Sequence, residues 1–227
     1  MIPIFDWTII LVIPAIILSI WAQNKVKSAY KKYSQIASSS GLTGEQVAKR
    51  ILNQHGMQDV KVVPTRGVLS DHYDPRKRVV ALSEHNFHKP SIAGMAVAAH
   101  EVGHAIQHHE GFAMLKFRNA LASPVQFGSW MAFPLVLIGL FMASPAMLDA
   151  GIVLFSLVVL FHLVTLPVEF DASRRALAIL RTDGYVPPQE AVGAKKVLDA
   201  AAWTYVAAAT VAILNLVRLL ILRDVMR

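Results

Sequence analysis

Three long apolar runs stand out along an otherwise mixed chain, and their lengths set the first expectations. Residues 2–22 carry a single charge, Asp6. Residues 127–168 form a run of 42 positions in which Asp149 is the only formal charge. At about 1.5 Å per helical residue this run would cover about 63 Å, roughly twice the ~30 Å hydrocarbon thickness of a bilayer. It therefore reads as two spans joined by a tight turn near Ser144, Pro145 and Asp149. The last run, residues 200–222, is interrupted by Arg218, whose long side chain can reach toward an interface. Four membrane spans are expected.

The polar segment between the first two runs has its own pattern. Thr43 and Gln46 have capping-box spacing, which predicts a helix starting there and stopping at Gly56. Two β-prone runs follow, residues 60–63 and 78–82, with a turn-rich stretch over residues 67–75 between them. Residues 78–82 are a candidate edge strand for holding an extended peptide by strand addition. Pro90 and Ser91 then open a long Ala-rich helix reaching about His109, with Gly111 as its stop.

Composition agrees with the spans. Hydrophobic residues make up 55% of the 227 and charged residues 16%. A soluble domain carries about 25% charged residues, so the chain lacks the polar surface of an ordinary soluble enzyme and is too apolar for disorder. The absence of cysteine excludes disulfides, thiol catalysis and Cys-ligated zinc, so a metal would need nitrogen and oxygen ligands. Nine histidines are available.

The net charge of +7 is unevenly placed. Of 22 Lys and Arg residues, 14 lie between positions 23 and 124, beginning with Lys25, Lys27, Lys31 and Lys32, and five lie in residues 169–199. The positive-inside rule puts both segments in the cytoplasm and the N-terminus outside. The basic excess is then a topology signal, and no nucleic-acid partner is expected. Residues 2–22 lack a basic leader, so they do not read as a cleavable signal peptide.

The predicted Ala-rich helix contains His100-Glu101-Val102-Gly103-His104, an H-E-x-x-H pattern. Residues four apart share a helix face, so the two imidazoles can bind one Zn²⁺ while Glu101 takes a proton from metal-activated water. Satisfied histidines on a packed helix are the bland alternative, which leaves the glutamate between them unexplained. A third ligand has three possible sources. A metzincin-type site would need Gly and His where the chain has Gln107 and Glu110, so it fails. Asp149 superficially resembles the intramembrane aspartate of site-2-type proteases. Glu169 begins the run Glu169-Phe170-Asp171-Ala172-Ser173. Two crossings separate His104 from Glu169 and return it to the same face, whereas Asp149 is one crossing away. Glu169 is favoured, with Asp149 as the alternative.

The run from Ala98 to His108 resembles the YugP-type neutral zinc metallopeptidases of bacterial membranes. So do Leu69-Ser70-Asp71-His72-Tyr73-Asp74-Pro75 and Pro167-Val168-Glu169-Phe170-Asp171-Ala172-Ser173-Arg174, in order and spacing over essentially the whole chain. More distantly the chain is similar to the HtpX and Ste24 membrane proteases, in which the zinc glutamate also follows a membrane hairpin. Those relatives carry Asp four residues after that glutamate, where this chain has Ser173; Asp171 is the candidate for the same supporting work. The resemblance implies a peptide-bond hydrolase with one Zn²⁺ per chain held by His100, His104 and Glu169, and Glu101 as general base. Gluzincin-type sites add a His or Tyr donor for the oxyanion, and His72 and Tyr73 are the candidates.

The expected fold is mainly α: a four-span helical membrane protein with a zincin-like cytoplasmic domain carrying a small β element. Residues 1–22 would form the first span, 23–125 the zincin-like region, 126–168 the membrane hairpin, 169–199 the segment with the third ligand, and 200–227 the fourth span and tail. The expected setting is a bacterial cell membrane with the site on the cytoplasmic side. Expected partners are the lipid bilayer and a membrane-associated protein or peptide substrate. Gly139 and Ala207 to Ala209 also permit close helix packing, with the same chain or another. A zinc-stabilised membrane adaptor with little turnover is the alternative function.

Overall fold

Helix signals in the sequence translate into long helices and one small sheet in the computed structural model, which describes residues 7–225. A short 3-10 helix (Trp7–Leu11) precedes α1 (Ile13–Ser34) and α2 (Gly44–Gln54). Three strands follow, β1 (Lys61–Thr65), β2 (His72–Asp74) and β3 (Val79–Ser83). The remaining helices are α3 (Glu84–His88), α4 (Ile92–His109), α5 (Ala113–Phe141), α6 (Pro145–Thr182) and α7 (Pro188–Val225). Asp6 and Arg227 lie outside the described residues. Among the described residues, four helical stretches are long and apolar enough to cross a membrane: Thr8–Ser34, Ala113–Phe141, Pro145–Thr182 and Pro188–Val225.

These helices outrun the apolar runs that announce them. α6 continues past Val168 through Glu169 to Thr182, and α7 starts at Pro188, well before residue 200. The polar segment at 169–199 is therefore mostly helical, broken by a turn in which Gly184 has φ 69°.

Two compact units divide the chain. The first comprises residues 1–23, 113–167 and 204–227. Within it, the turn between α5 and α6 is tighter than expected. Ala143 has φ 48° and the Ser144 amide donates to the Gly139 carbonyl (2.9 Å), a Schellman closure. Glycines let the two helices meet closely. A Cβ on Gly139 would lie 2.7 Å from the Leu148 backbone nitrogen, and one on Gly151 would lie 2.7 Å from Val136 Cγ2. Val136, Leu148 and Ile152 form a small core there, while Phe127, Trp130 and Phe133 are largely exposed. Arg218 does not stand alone in its apolar run, since its Nε donates to the buried Thr8 hydroxyl (3.2 Å).

The second unit comprises residues 24–112 and 168–203. α2 starts where the sequence predicts: Thr43 Oγ1 accepts from the Gln46 amide (3.3 Å) and Gln46 Oε1 accepts from the Thr43 amide (3.0 Å). Ser91 caps α4 by accepting from the Gly94 amide (3.0 Å). The small side chains of α4 let its neighbours approach on nearly every side, and Met95, Ala96, Ala99 and Val102 are fully buried. Val47, Ile51, Val80, Leu82, Ala176 and Leu180 complete the same core. The sheet order is β1-β3-β2. β1 runs parallel to β3 with Lys61 opposite Val79, and β2 runs antiparallel with His72 opposite Ala81. The expectation that residues 78–82 form a sheet edge is corrected here: β3 is the central strand and β2 is an edge. A short strand inside a turn-rich stretch was not foreseen.

Candidate metal centre

α4 and α6 supply the candidate centre, and both stretches belong to the second unit. His100 and His104 lie one turn apart on α4 with ring centroids 4.8 Å apart and planes at 82°. Glu169 projects from α6, nearly fully buried. Its Oε2 is 3.4 Å from His100 Nε2 and 3.5 Å from His104 Nε2. The three donor atoms all lie within 4.8 Å of one another. Gly103, between the histidines, makes this approach possible. A Cβ at that position would sit 2.9 Å from the Ala172 carbonyl oxygen, so any larger residue would drive α4 away from α6.

The outward nitrogens of both rings are held. His100 Nδ1 pairs with Ser173 Oγ (3.1 Å) and His104 Nδ1 with Gln107 Oε1 (3.0 Å), which leaves both Nε2 atoms facing Glu169. Burial alone would lower the His104 pKa. Glu169, helped by Glu101 and Gln107, reverses this and lifts it above the ordinary imidazole value. Glu101 is also buried, and burial pushes its carboxyl up despite the opposing pull of His100 and His104.

A family model described as "Putative neutral zinc metallopeptidase" matches residues 8–224. The chain belongs to this family. Within the zinc metallopeptidase family, a relative from Bacillus subtilis named "Putative membrane protease YugP" is 50% identical over 210 residues, covering 92% of this chain and 93% of that one. No solved structure gives a significant match.

The zinc that the family description implies fits the donor set. Two imidazole nitrogens and one carboxylate oxygen are common zinc ligands, bound at about 2.0–2.2 Å, and a tetrahedral edge is then about 3.3–3.6 Å. The two Nε2–Oε2 separations, 3.4 and 3.5 Å, fall in that range, and the third separation, between the two histidine nitrogens, is bounded at 4.8 Å.

The other sequence-selected residues are dispersed. Asp149 faces Arg223 (3.6 Å) and is not among the three clustered donors. Tyr73 is half-buried on β2, which packs against α4, and its hydroxyl meets His108 Nδ1 (2.9 Å). His72 is exposed, with Nδ1 2.9 Å from the Ser70 carbonyl oxygen. The loop before them is pinned by Asp71, which accepts from the Ser83 amide (2.7 Å) and from Asn86 Nδ2 (3.1 Å). Ser173, not Asp171, touches His100; Asp171 instead accepts from Gln107, Arg174 and Arg175. Gln107 is the residue that sequence reasoning missed. It figured there only as a departure from the metzincin pattern, although its i+3 spacing from His104 is a readable cue.

Proposed function

We propose that the chain is a membrane-embedded zinc metalloendopeptidase that hydrolyses peptide bonds of membrane or membrane-proximal proteins. The observation that carries this is the clustered donor set of part-buried His100 and buried His104 and Glu169, with Glu101 beside it on α4. One zinc per chain, held by those three residues, would supply Lewis acidity that acidifies water and polarises a scissile carbonyl. Glu101 takes the proton of the attacking water on its carboxylate and passes it to the leaving amine nitrogen. Among the described residues no protein donor hydrogen-bonds its carboxylate, which keeps that carboxylate available. Tyr73 and His72 are the candidates for an oxyanion donor. Tyr73 is the better placed, because its phenol is steered by His108, one turn beyond His104 on α4.

Membrane embedding is supported by the four apolar helices and by the name of the Bacillus subtilis relative. The charge bias supports a cytoplasmic site with the N-terminus outside, and α5 with the apolar half of α6 reads as the hairpin that brings Glu169 back. An extended substrate lying along the exposed edge of β2 would run beside α4. The test uses detergent-purified protein and an unfolded polypeptide, comparing wild type with Glu101→Gln and with chelator-treated protein before and after zinc is restored. Cleavage that needs both Glu101 and zinc is the expected result. Cleavage persisting in Glu101→Gln would sink the mechanism, and zinc binding with no cleavage would favour an adaptor.

A further inference from the structure

Gln107 has no solvent exposure, and its carboxamide works on two sides. Nε2 lies 2.8 Å from the Val168 carbonyl oxygen and 3.0 Å from Asp171 Oδ2. Neither group has a hydrogen to give, because Asp171 is a carboxylate that also accepts from Arg174 and from Arg175 Nε (2.6 Å). The rotation of the amide is therefore fixed by chemistry: nitrogen toward the two acceptors, oxygen toward His104. An amide oxygen only accepts, so the His104 Nδ1 atom, 3.0 Å away, must carry the hydrogen. In the neutral ring, the form that can bind a metal, the lone pair is then on Nε2, the atom 3.5 Å from Glu169 Oε2. His100 has no such lock, since the Ser173 hydroxyl can give or accept and leaves that ring's tautomer open.

We propose that Gln107 is a positioning residue that fixes His104 with Nδ1 protonated and Nε2 open toward Glu169, with Asp171 setting the orientation of the amide. The inference rests on the reading of His100, His104 and Glu169 as the zinc site. Gln suits this place because it presents an acceptor and a donor at one reach. Asn is a methylene shorter, and Glu would put a second carboxylate against Asp171. Outer partners of metal-bound histidines set ring orientation and basicity, and their loss weakens metal binding by about 10–100-fold.

The experiment uses the full chain in detergent, stripped of metal. Gln107→Met keeps the length of the side chain and removes its donor and acceptor. Zinc affinity, measured by competition with a chromophoric chelator, should fall about 10–100-fold. In cobalt-loaded protein, metal-shifted imidazole N–H signals report each coordinated ring. The signal from His104 should exchange slowly with solvent in wild type and be lost or exchange fast in Gln107→Met. A merely structural role would lower the melting temperature and leave both the N–H signal and the affinity of the folded protein unchanged, which would overturn the inference. Asp171→Asn, whose amide gives as well as accepts, should weaken zinc binding less than Gln107→Met. It carries the test if the Met variant does not fold, and unchanged affinity there would also overturn the inference. His104→Ala is the control for the underlying reading. If it binds zinc like wild type, the zinc site itself is wrong, and the inference falls with it.

Discussion

Burial acts with opposite outcomes on two neighbours in α4. At Glu101 it wins and favours the neutral carboxyl, whereas at His104 the Glu169 carboxylate outweighs it and favours the imidazolium. Protons therefore compete with metal at His104 from a higher pH than at a free imidazole, whose pKa is about 6.5. Zinc affinity measured by titration across the neutral range should fall as pH is lowered, with the fall already under way above that value. Glu101→Gln removes the proton carrier and leaves the donor set, so cleavage should drop about 10²–10⁴-fold while metal analysis finds the same zinc content. Glu169→Ala removes the one donor from α6, and most of the bound zinc should be lost on gel filtration; unchanged zinc content would sink the assignment.

Among the elements, α4 is the one on which the others depend. Its glycine approach to α6 leaves no room for a methyl, and the atom in the way belongs to the Ala172 backbone, which cannot turn aside. Gly103→Ala should cost about 1–3 kcal/mol in stability and reduce zinc affinity, read by thermal melting with and without metal. α2 and α4 were legible because their caps are local: Thr43 with Gln46, and Ser91 with Gly94. β2 was not legible, since three residues in a turn-rich loop become a strand only by pairing with β3. The central place of β3 depends on the same non-local pairing. The ends of α6 and α7 were hidden for another reason. A drop in hydropathy marks where a membrane would end, and Ala, Leu and Arg beyond it continue the helix well. In the candidate centre, the two clustered histidines share a helix face that their spacing makes readable, and Glu169, the third clustered donor, was selected by counting expected crossings. Gln107 stayed hidden because its role depends on an acceptor pair contributed by α6.

For the whole molecule, the proposed topology can be read with single cysteines, because the natural chain has none. Cysteine at Met142, an exposed position following α5, should react with a membrane-impermeant thiol reagent on intact cells. Cysteine at the exposed Lys49 on α2 should react only after the cells are opened. The reverse pattern would invert the orientation. The chain order of the donors has a further consequence for how the protein is made. His100 and His104 emerge from the ribosome first, and α5 with half of α6 must be synthesised before Glu169 appears. At about 5–20 residues per second, the half-built centre lacks its carboxylate for several seconds. In that interval the nascent chain carries Glu101 and two imidazoles but not the full candidate donor set. On the proposed reading, translation order would leave the ligand set incomplete until the membrane hairpin has been made, so that proteolysis would begin only afterwards.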